Sequence, residues 1–441
     1  MNGSIWNLFR VPELRRKIWV TLALLFVYRI GSQIPLPGVD IAAISAAAQK
    51  WGGTGTGAIF GVMNAFTGAG IGDCVLFSLG VMPYISASIM FSLLAKTIPA
   101  LEAIAKEGAA GQKKINRWTR YATVPVCLFQ ALFVYKGVIT KPEYGILSVE
   151  ESFPYLLLVL LSLTAGTLFV MWLGEQITEH GIGNGVSLII MGGIIAQLPS
   201  AISKYWVGGS GSEDRYQTLL VLGAIWIATV LVIVYITKGQ RRIPIQQAKL
   251  TRGTRVYGGQ RHYLPLKVNQ AGVMPIIFAS ALFLVPTVFA EVTGWRALGS
   301  LFLEGTGFFY VVLYMGLIFF FSFFWTTLMF QPTEIANNLK EYGSFIPGIR
   351  PGRRTAEYLE GILVRVTLAG AAFLSIIAIL PNFITGGMNI GMDVTAFLGG
   401  TSILIVVGVA LDLVDKLNAQ LLMRNYEGFL RGGTGWTRRK R

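Results

Sequence analysis

Ten apolar segments, each about as long as a membrane-spanning helix, recur along the chain. A helix needs roughly 20 mostly apolar residues to cross the hydrocarbon core of a bilayer. The segments lie at about 18–36, 74–95, 120–137, 153–173, 186–203, 217–237, 271–290, 308–330, 359–381 and 395–414. They are continuous rather than alternating between apolar and polar residues, which favours helices over barrel strands. The pattern predicts an all-α polytopic membrane protein with ten transmembrane helices.

The composition argues against a soluble protein. Charged residues make up 13% of the chain and apolar residues 53%, whereas about 25% of a typical soluble protein is charged. A soluble enzyme of this length would lack the charge needed to cover its surface. The aromatic content of 12% also argues against disorder.

Basic residues alternate between the two sides of the predicted membrane. The N-terminus, the loops after spans 2, 6 and 8, and the C-terminus carry most of them. The alternate loops hold only Lys50, Lys136, Lys141, Lys204, Arg215 and Arg296. Because Lys and Arg are retained in the cytoplasm, both termini are predicted to be cytoplasmic. The net charge of +15 is then concentrated on a cytoplasmic face.

The ten spans divide into two five-span halves, 1–208 and 209–441, at a polar, glycine-rich outer loop. Two such halves suggest an inverted repeat with a pathway between them. The halves show no clear sequence self-similarity, and any ten spans divide evenly, so the repeat remains a hypothesis.

A glycine-rich stretch precedes the second span. From Trp51 to Ala95 there is no Lys or Arg, and Asp73 is the only acid. Irregular backbone at membrane depth must be buried in protein or line an aqueous cavity. The glycine-rich first part of this stretch is interpreted either as a short half-helix folded into a funnel, ahead of a span from about Cys74, or as an ordinary outer loop.

Two cytoplasmic loops are long and basic. The first, about 238–268, contains eight basic residues and no acid, and its alternating residues predict a two-stranded hairpin with a basic tip. The second, about 331–358, carries another basic tip around Arg350. Retention of positive charge in the cytoplasm would explain a few of these residues, but structured loops of this length are usually functional. Candidate partners are RNA, an acidic protein face or anionic lipid headgroups.

The sequence provides no catalytic or cofactor site. Charges within spans are Arg29, Arg365, Asp412 and Asp415, and each lies close enough to a span end to snorkel. A secondary transporter would need a polar site at mid-depth. An intramembrane enzyme would need paired carboxylates, a Ser-Lys pair or an HExxH motif, and none is found. We therefore expect no catalytic residues, no metal and no cofactor.

Several motifs together resemble the SecY family of bacterial protein-translocation channels. They are Tyr28–Gly31 with Ile34–Asp40, Leu79–Ile89, Trp172–Glu179 leading into Gly181–Gly185, Leu264–Asn269 with Ala271–Val273, Pro347–Gly352, and Gly399–Ser402. The match runs in order from about residue 6 to 430. The resemblance implies two pseudo-symmetric five-helix halves around an hourglass pore.

The resemblance also implies roles for particular residues. The family's ring of aliphatic side chains, which closes the pore at mid-membrane, maps to Val81, Ile85, Val186, Ile190, Ile277 and Ile405. A narrow apolar ring gates by dewetting. The half-helix is similar to the family's plug and is placed at about 56–69. The seam between spans 2–3 and 7–8 resembles the lateral gate, with Ser86 and Gln130 as polar members.

The expected function is passage of unfolded preproteins across the bacterial inner membrane, with lateral release of apolar segments into lipid. By resemblance, the energy comes from a SecA-like motor ATPase or a translating ribosome, and SecE- and SecG-like small subunits accompany the channel. The basic loops resemble the docking site for motor and ribosome, with Arg350 the first choice. The other docking candidates are Arg242, Lys249, Arg252, Arg255, Arg353 and Arg354.

Overall fold

The structure is a computed structural model of the 441-residue chain. It describes residues 12–40, 43, 74–140, 147, 151–208, 212–247, 250–252, 255–257, 261–280, 282, 307–388 and 400–432. The chain clusters into two compact units. The first takes the described residues up to Gly208 and those from Val409 onward, and the second takes most of the remainder, including Leu398–Gly408. The predicted plug at 56–69 lies outside the described residues.

The first unit is helical. Its elements are α1 (Pro12–Gly31), α2 (Met82–Thr97), α3 (Pro99–Lys106), α4 (Ala109–Val134, followed by a π-helical turn at Tyr135–Ile139), α5 (Phe153–His180) and α6 (Gly185–Gly208). Helix α5 packs against α1, α4 and α6, and α2 packs against α4. Because α5 is mostly apolar and contacts three neighbours, it forms the centre of this unit.

The second unit combines helices with a small sheet. Its elements are α7 (Ser212–Lys238), β1 (Gln240–Gln247), β2 (Leu250–Arg252), β3 (Arg255–Tyr257), β4 (Arg261–Lys267), α8 (Phe308–Met329), α9 (Pro332–Glu341), β5 (Ser344–Phe345) and α10 (Arg353–Met388). Residues 274–280 are also helical. Helix α11 (Gly400–Gly432) begins in the second unit and continues into the first.

By length and composition, three stretches could each cross a membrane: Phe153–His180, Phe308–Glu341 and Arg353–Leu380. A fourth candidate is the bent pair Met82–Ala95 and Pro99–Lys106, whose axes meet at 99°. This search covers only the described part of the chain, so the ten-span count stays a prediction.

Several predicted boundaries differ from the observed helices, and three of them differ most. The span expected from Cys74 begins as a helix only at Met82, because residues 74–81 form turns with a positive φ at Gly80. The loop expected before residue 120 is instead helical from Ala109, and α11 continues to Gly432. In the last two cases hydropathy detects only the apolar part of the helix, whereas the backbone hydrogen bonds extend through its polar ends.

A short antiparallel contact joins the segment after α1 to the segment before α2. Pro35 and Val75 form an isolated bridge. The Leu36 amide donates to the Cys74 carbonyl at 2.9 Å, and the Leu76 amide donates to the Ile34 carbonyl at 2.8 Å. These bonds join the residues that flank the segment 37–73, in which the predicted plug lies. We call residues 34–36 and 74–76 the base.

The base also packs against α5. Gly166 lies so close to the Leu76 carbonyl oxygen that a β-carbon at this position would overlap it. Ser78 supports the same turn, since its hydroxyl donates to the Val75 carbonyl at 2.7 Å and accepts from the Val75 amide at 2.8 Å. The start of α2 is therefore fixed on α5 by backbone packing.

Candidate pore lining and candidate docking module

Two of the predicted pore residues lie at the start of α2. Val81 is the residue just before the helix and is 1% exposed. Ile85 lies one turn later, and its amide donates to the Val81 carbonyl at 3.0 Å. The two side chains therefore lie on the same face of the first turn, as the spacing predicts.

The next two lie in the first two turns of α6, which follows the predicted tight turn. The sequence predicted a turn at Gly181–Gly185 leading into the span, and the structure confirms it: Gly183 has φ of 86° and α6 begins at Gly185. Asn184 Oδ1 accepts a hydrogen bond from the Val186 amide at 3.1 Å. This side chain caps the helix that carries Val186 and Ile190.

The same turn is held by two threonines that the sequence reading missed. Thr178 Oγ1 accepts from the Gly185 amide at 2.8 Å. Thr21 Oγ1, on α1, accepts from the Ile182 amide at 3.2 Å and donates to the Lys17 carbonyl at 2.9 Å. Helix α1 and helix α5 therefore set the position at which α6 begins.

The remaining two predicted pore residues belong to the second unit. Ile277 is 8% exposed and Ile405 is 2% exposed. Ile277 lies in the helical stretch 274–280, and Ile405 lies in the first turns of α11. A β-carbon at Gly408 would lie 2.6 Å from Val273, so these two segments are in close contact. The six residues are thus all apolar and buried or half-buried within their own units, and their meeting in one ring stays a prediction.

The two lateral-gate candidates lie on packed helices. Ser86 is on α2 and Gln130 on α4, and both are half-buried. The same unit contains an ion pair that the sequence did not predict, between Arg120 Nε on α4 and Glu175 Oε1 on α5 at 2.6 Å. Both partners are partly exposed, so the pair links the two helices but adds little stability.

The basic loop at about 238–268 is a hairpin, which confirms the prediction. Strands β1 and β4 pair antiparallel from Gln240 opposite Lys267 to Gln246 opposite Arg261. The shorter strands β2 and β3 extend the hairpin, with Arg252 opposite Arg255. Lys249 lies outside the described residues.

The two basic loops form one structural unit, which the sequence did not resolve. Strand β5, from the loop at about 331–358, pairs with β1 through Phe345 opposite Gln246 and Ser344 opposite Gln247. The sheet order is β4-β1-β5. Beneath it lies a cluster of five buried residues, namely Ile243, Leu266, Ile346, Leu359 and Ile362. We call this sheet with its apolar cluster the docking module.

The basic tip of the second loop follows this sheet. Arg350 is exposed, and it lies between Gly348 and Gly352, whose φ values of 83° and 104° favour glycine. The Arg350 carbonyl accepts from Thr355 Oγ1 at 2.9 Å, so its backbone is fixed while its side chain faces outward.

Three further docking candidates, Arg242, Arg353 and Arg354, are also exposed. Arg354 lies in the first turn of α10, and Arg242 lies on β1 opposite Pro265. Arg353 Nε donates to Glu357 Oε1 at 3.0 Å. Arg350 and Arg354 therefore place guanidinium groups at the surface next to the docking module.

No group of three or more His, Cys, Asp or Glu residues suited to a metal is found in the part of the chain that the structure describes. What the described geometry provides is an apolar set of helices and a basic, structured surface.

Comparison with known proteins decides the family. The SecY family profile matches residues 75–414. The chain belongs to the SecY family. Among curated relatives, the protein translocase subunit SecY of Streptomyces galbus is 43% identical, with 96% of this chain and 98% of that relative covered. The SecY subunits of Thermotoga maritima and Escherichia coli are each 41% identical, and in both comparisons at least 94% of each chain is covered.

Solved structures give the same fold. A structure described as a protein-conducting channel aligns with TM-score 0.62 at 19% identity, with 92% of each chain covered. A SecY structure that concerns the plug domain and the closed state aligns with TM-score 0.60 at 20% identity, again with 92% of each chain covered. The fold is therefore that of the SecY channels, an all-α polytopic membrane protein. As a member of the SecY family, the chain is a subunit of a protein-conducting channel.

Proposed function

We propose that this SecY protein is a passive pore for unfolded polypeptide, driven by a partner that binds its docking module. The single observation that carries the docking part is the pairing of β5 with β1, which joins two basic loops over one apolar cluster. A partner would therefore meet one positive surface rather than two independent loops. The energy for transport would come from that partner, and this chain would form the pore through which the polypeptide passes.

The docking surface suits two partners. One is a SecA-like motor ATPase with an acidic face, and the other is a ribosome, whose RNA is anionic. One solved structure that shares the fold is the channel of the canine ribosome–channel complex from the endoplasmic reticulum, with TM-score 0.58 at 18% identity and 92% of each chain covered. Within this proposal, the module and both termini face the cytoplasm, and the membrane is the bacterial inner membrane.

The pore would close on the six aliphatic residues of the ring, with the plug segment as a second seal. A ring without hydrogen-bonding groups excludes ions when narrow, because water leaves the constriction, and its side chains can deform around a passing chain. Apolar segments of the substrate would leave through the seam that contains Ser86 and Gln130. SecE- and SecG-like subunits would complete the complex.

Docking is tested with Arg350→Glu. We expect this variant to lose ATP-driven translocation into vesicles and to lose binding of the purified motor, because an exposed cation of the docking surface becomes an anion. Arg117→Glu makes the same charge change at an exposed position on α4 and should retain both activities. Wild-type translocation and motor binding by Arg350→Glu would refute the docking role.

The ring is tested by conductance. Replacing Ile85, Ile190, Ile277 and Ile405 with glycine should make the resting channel leak small ions in planar bilayers. Ile376→Gly is the control, because that side chain is exposed on the outside of α10. A resting conductance equal to that of the wild type would exclude these residues from the constriction.

A further inference from the structure

Helix α10 carries an exposed arginine within its predicted membrane span. Its buried face packs against α8 and α9, and its opposite face is exposed. Arg365 lies on the exposed face, between Val364 and Leu368, which are 50% and 53% exposed. Within the described residues, no hydrogen bond or ion pair of the Arg365 side chain is present. A guanidinium on a lipid-facing surface requires a counter-charge or access to water.

Three other residues share this face towards the N-terminal end of the helix. Gly361 precedes Arg365 by four residues, Tyr358 by seven and Arg354 by eleven, so all four lie on one side of the helix. Each is exposed, and Tyr358 is 40% exposed. The face therefore presents, in order, a cation, an aromatic hydroxyl, a gap and a second cation.

The gap lies where the Arg365 side chain is directed. Side chains on a helix tilt towards its N-terminus and cover the preceding turn. For Arg365 that turn contains Gly361, at which an added β-carbon would meet no atom within 4 Å. A long side chain can therefore extend along the helix over the open position at Gly361, which we call the notch. We call Arg354, Tyr358, Gly361 and Arg365 the notch residues.

We propose that the notch binds the phosphate of an anionic phospholipid. In the sidedness given under the proposed function, on which this inference rests, α10 starts at the cytoplasmic face and Arg365 snorkels towards the headgroups. Arg354 and Tyr358 lie at headgroup depth, where aromatic and basic residues concentrate. The exposed apolar residues beyond Arg365, including Leu368 and Ile376, lie where the acyl chains would be.

The test is lipid retention by the purified protein, measured by native mass spectrometry after incubation with an equal mixture of phosphatidylglycerol and phosphatidylcholine. We expect Arg365→Gln to lower the ratio of bound phosphatidylglycerol to bound phosphatidylcholine by about fivefold. This corresponds to the roughly 1 kcal/mol that one basic residue contributes near an anionic headgroup. Arg365→Lys should keep most of the preference. Gly361→Val should lower it without any change of charge, because it fills the notch.

Gly316→Val is the matched control, because Gly316 is exposed on α8 and also faces open space. Its lipid ratio should equal that of the wild type. Inorganic phosphate at millimolar concentration should not displace the lipid, since the acyl chains contribute to binding, and displacement would overturn the assignment to a lipid. An unchanged lipid ratio in Arg365→Gln would overturn the proposal too. So would an Arg365→Gln variant that loses a co-purifying small membrane subunit but keeps its lipid, because the face would then bind that subunit. Lipid retention is measured without translocation, so failure of the docking proposal would leave this result interpretable.

Discussion

Ile346 connects the second basic loop to the hairpin, and its truncation should open the docking module without removing any charge. The side chain is 3% exposed and lies in the cluster with Ile243 and Leu266 of the hairpin and Leu359 of α10. Truncation of a buried isoleucine to alanine costs about 2–5 kcal/mol, which combines lost burial with the cavity that remains. Since about 1.4 kcal/mol corresponds to a factor of ten, the open population should rise at least about 25-fold.

Limited trypsin digestion in detergent measures this opening. Cleavage after Lys267, which is paired with Gln240 in the sheet, requires the strands to separate. When opening and closing are fast, the cleavage rate follows the open population. We expect Ile346→Ala to be cut at least about 25 times faster at this bond than the wild type. Motor binding should fall in the same variant, although every basic residue is retained.

Tyr342→Ala is the control, because Tyr342 belongs to the same loop and is 76% exposed. A surface change of this kind usually alters stability by less than about 0.5 kcal/mol, so its cleavage rate should stay within about twofold of the wild type. If Ile346→Ala is cut at the rate of Tyr342→Ala, the two loops do not depend on a shared apolar cluster.

Three contacts in the first unit are tested by further substitutions. Thr21→Val should lower the free energy of unfolding by about 1–3 kcal/mol, because it leaves a buried amide without its acceptor; a thermal melt of the purified protein checks this, and Thr21→Ser should melt close to the wild type. Gly166→Val should destabilise by at least about 1–3 kcal/mol, because its side chain would overlap the Leu76 carbonyl; a wild-type melting temperature would contradict the close approach at the base. Arg120→Gln and Glu175→Gln, with the double variant, should give a coupling of about 0.2–1 kcal/mol in a double-mutant cycle, and zero coupling would show that the ion pair adds nothing.

Local pattern was sufficient to predict some elements. The alternation around Arg252–Arg255 predicted the hairpin, and the strands are present. The glycines of 181–185 predicted a tight turn, and it lies there. In both cases the information is local, because each element is built from residues close in sequence.

Long-range contacts were beyond the sequence reading. Strand β5 has only two residues and pairs with a strand about 100 residues earlier. Two residues are too few to show the alternation from which a strand is predicted. Thr21 and the Ile182 amide are separated by 161 positions. A threonine inside an apolar run carries no signal of its partner, since its hydroxyl can also bond its own helix. Helix ends were misplaced for a related reason: polar turns continue a helix beyond its apolar part.

The base has a consequence for how this protein can vary. Because residues 34–36 and 74–76 are hydrogen-bonded to each other, the segment between them starts and ends at the same place. A change in the length of this segment need not move α1 or α2, because the hydrogen bonds of the base hold its two ends together. Insertions and deletions between Asp40 and Asp73 should therefore be tolerated without a change in the helical frame. The length of this segment and the helical frame can in this way diversify at different rates.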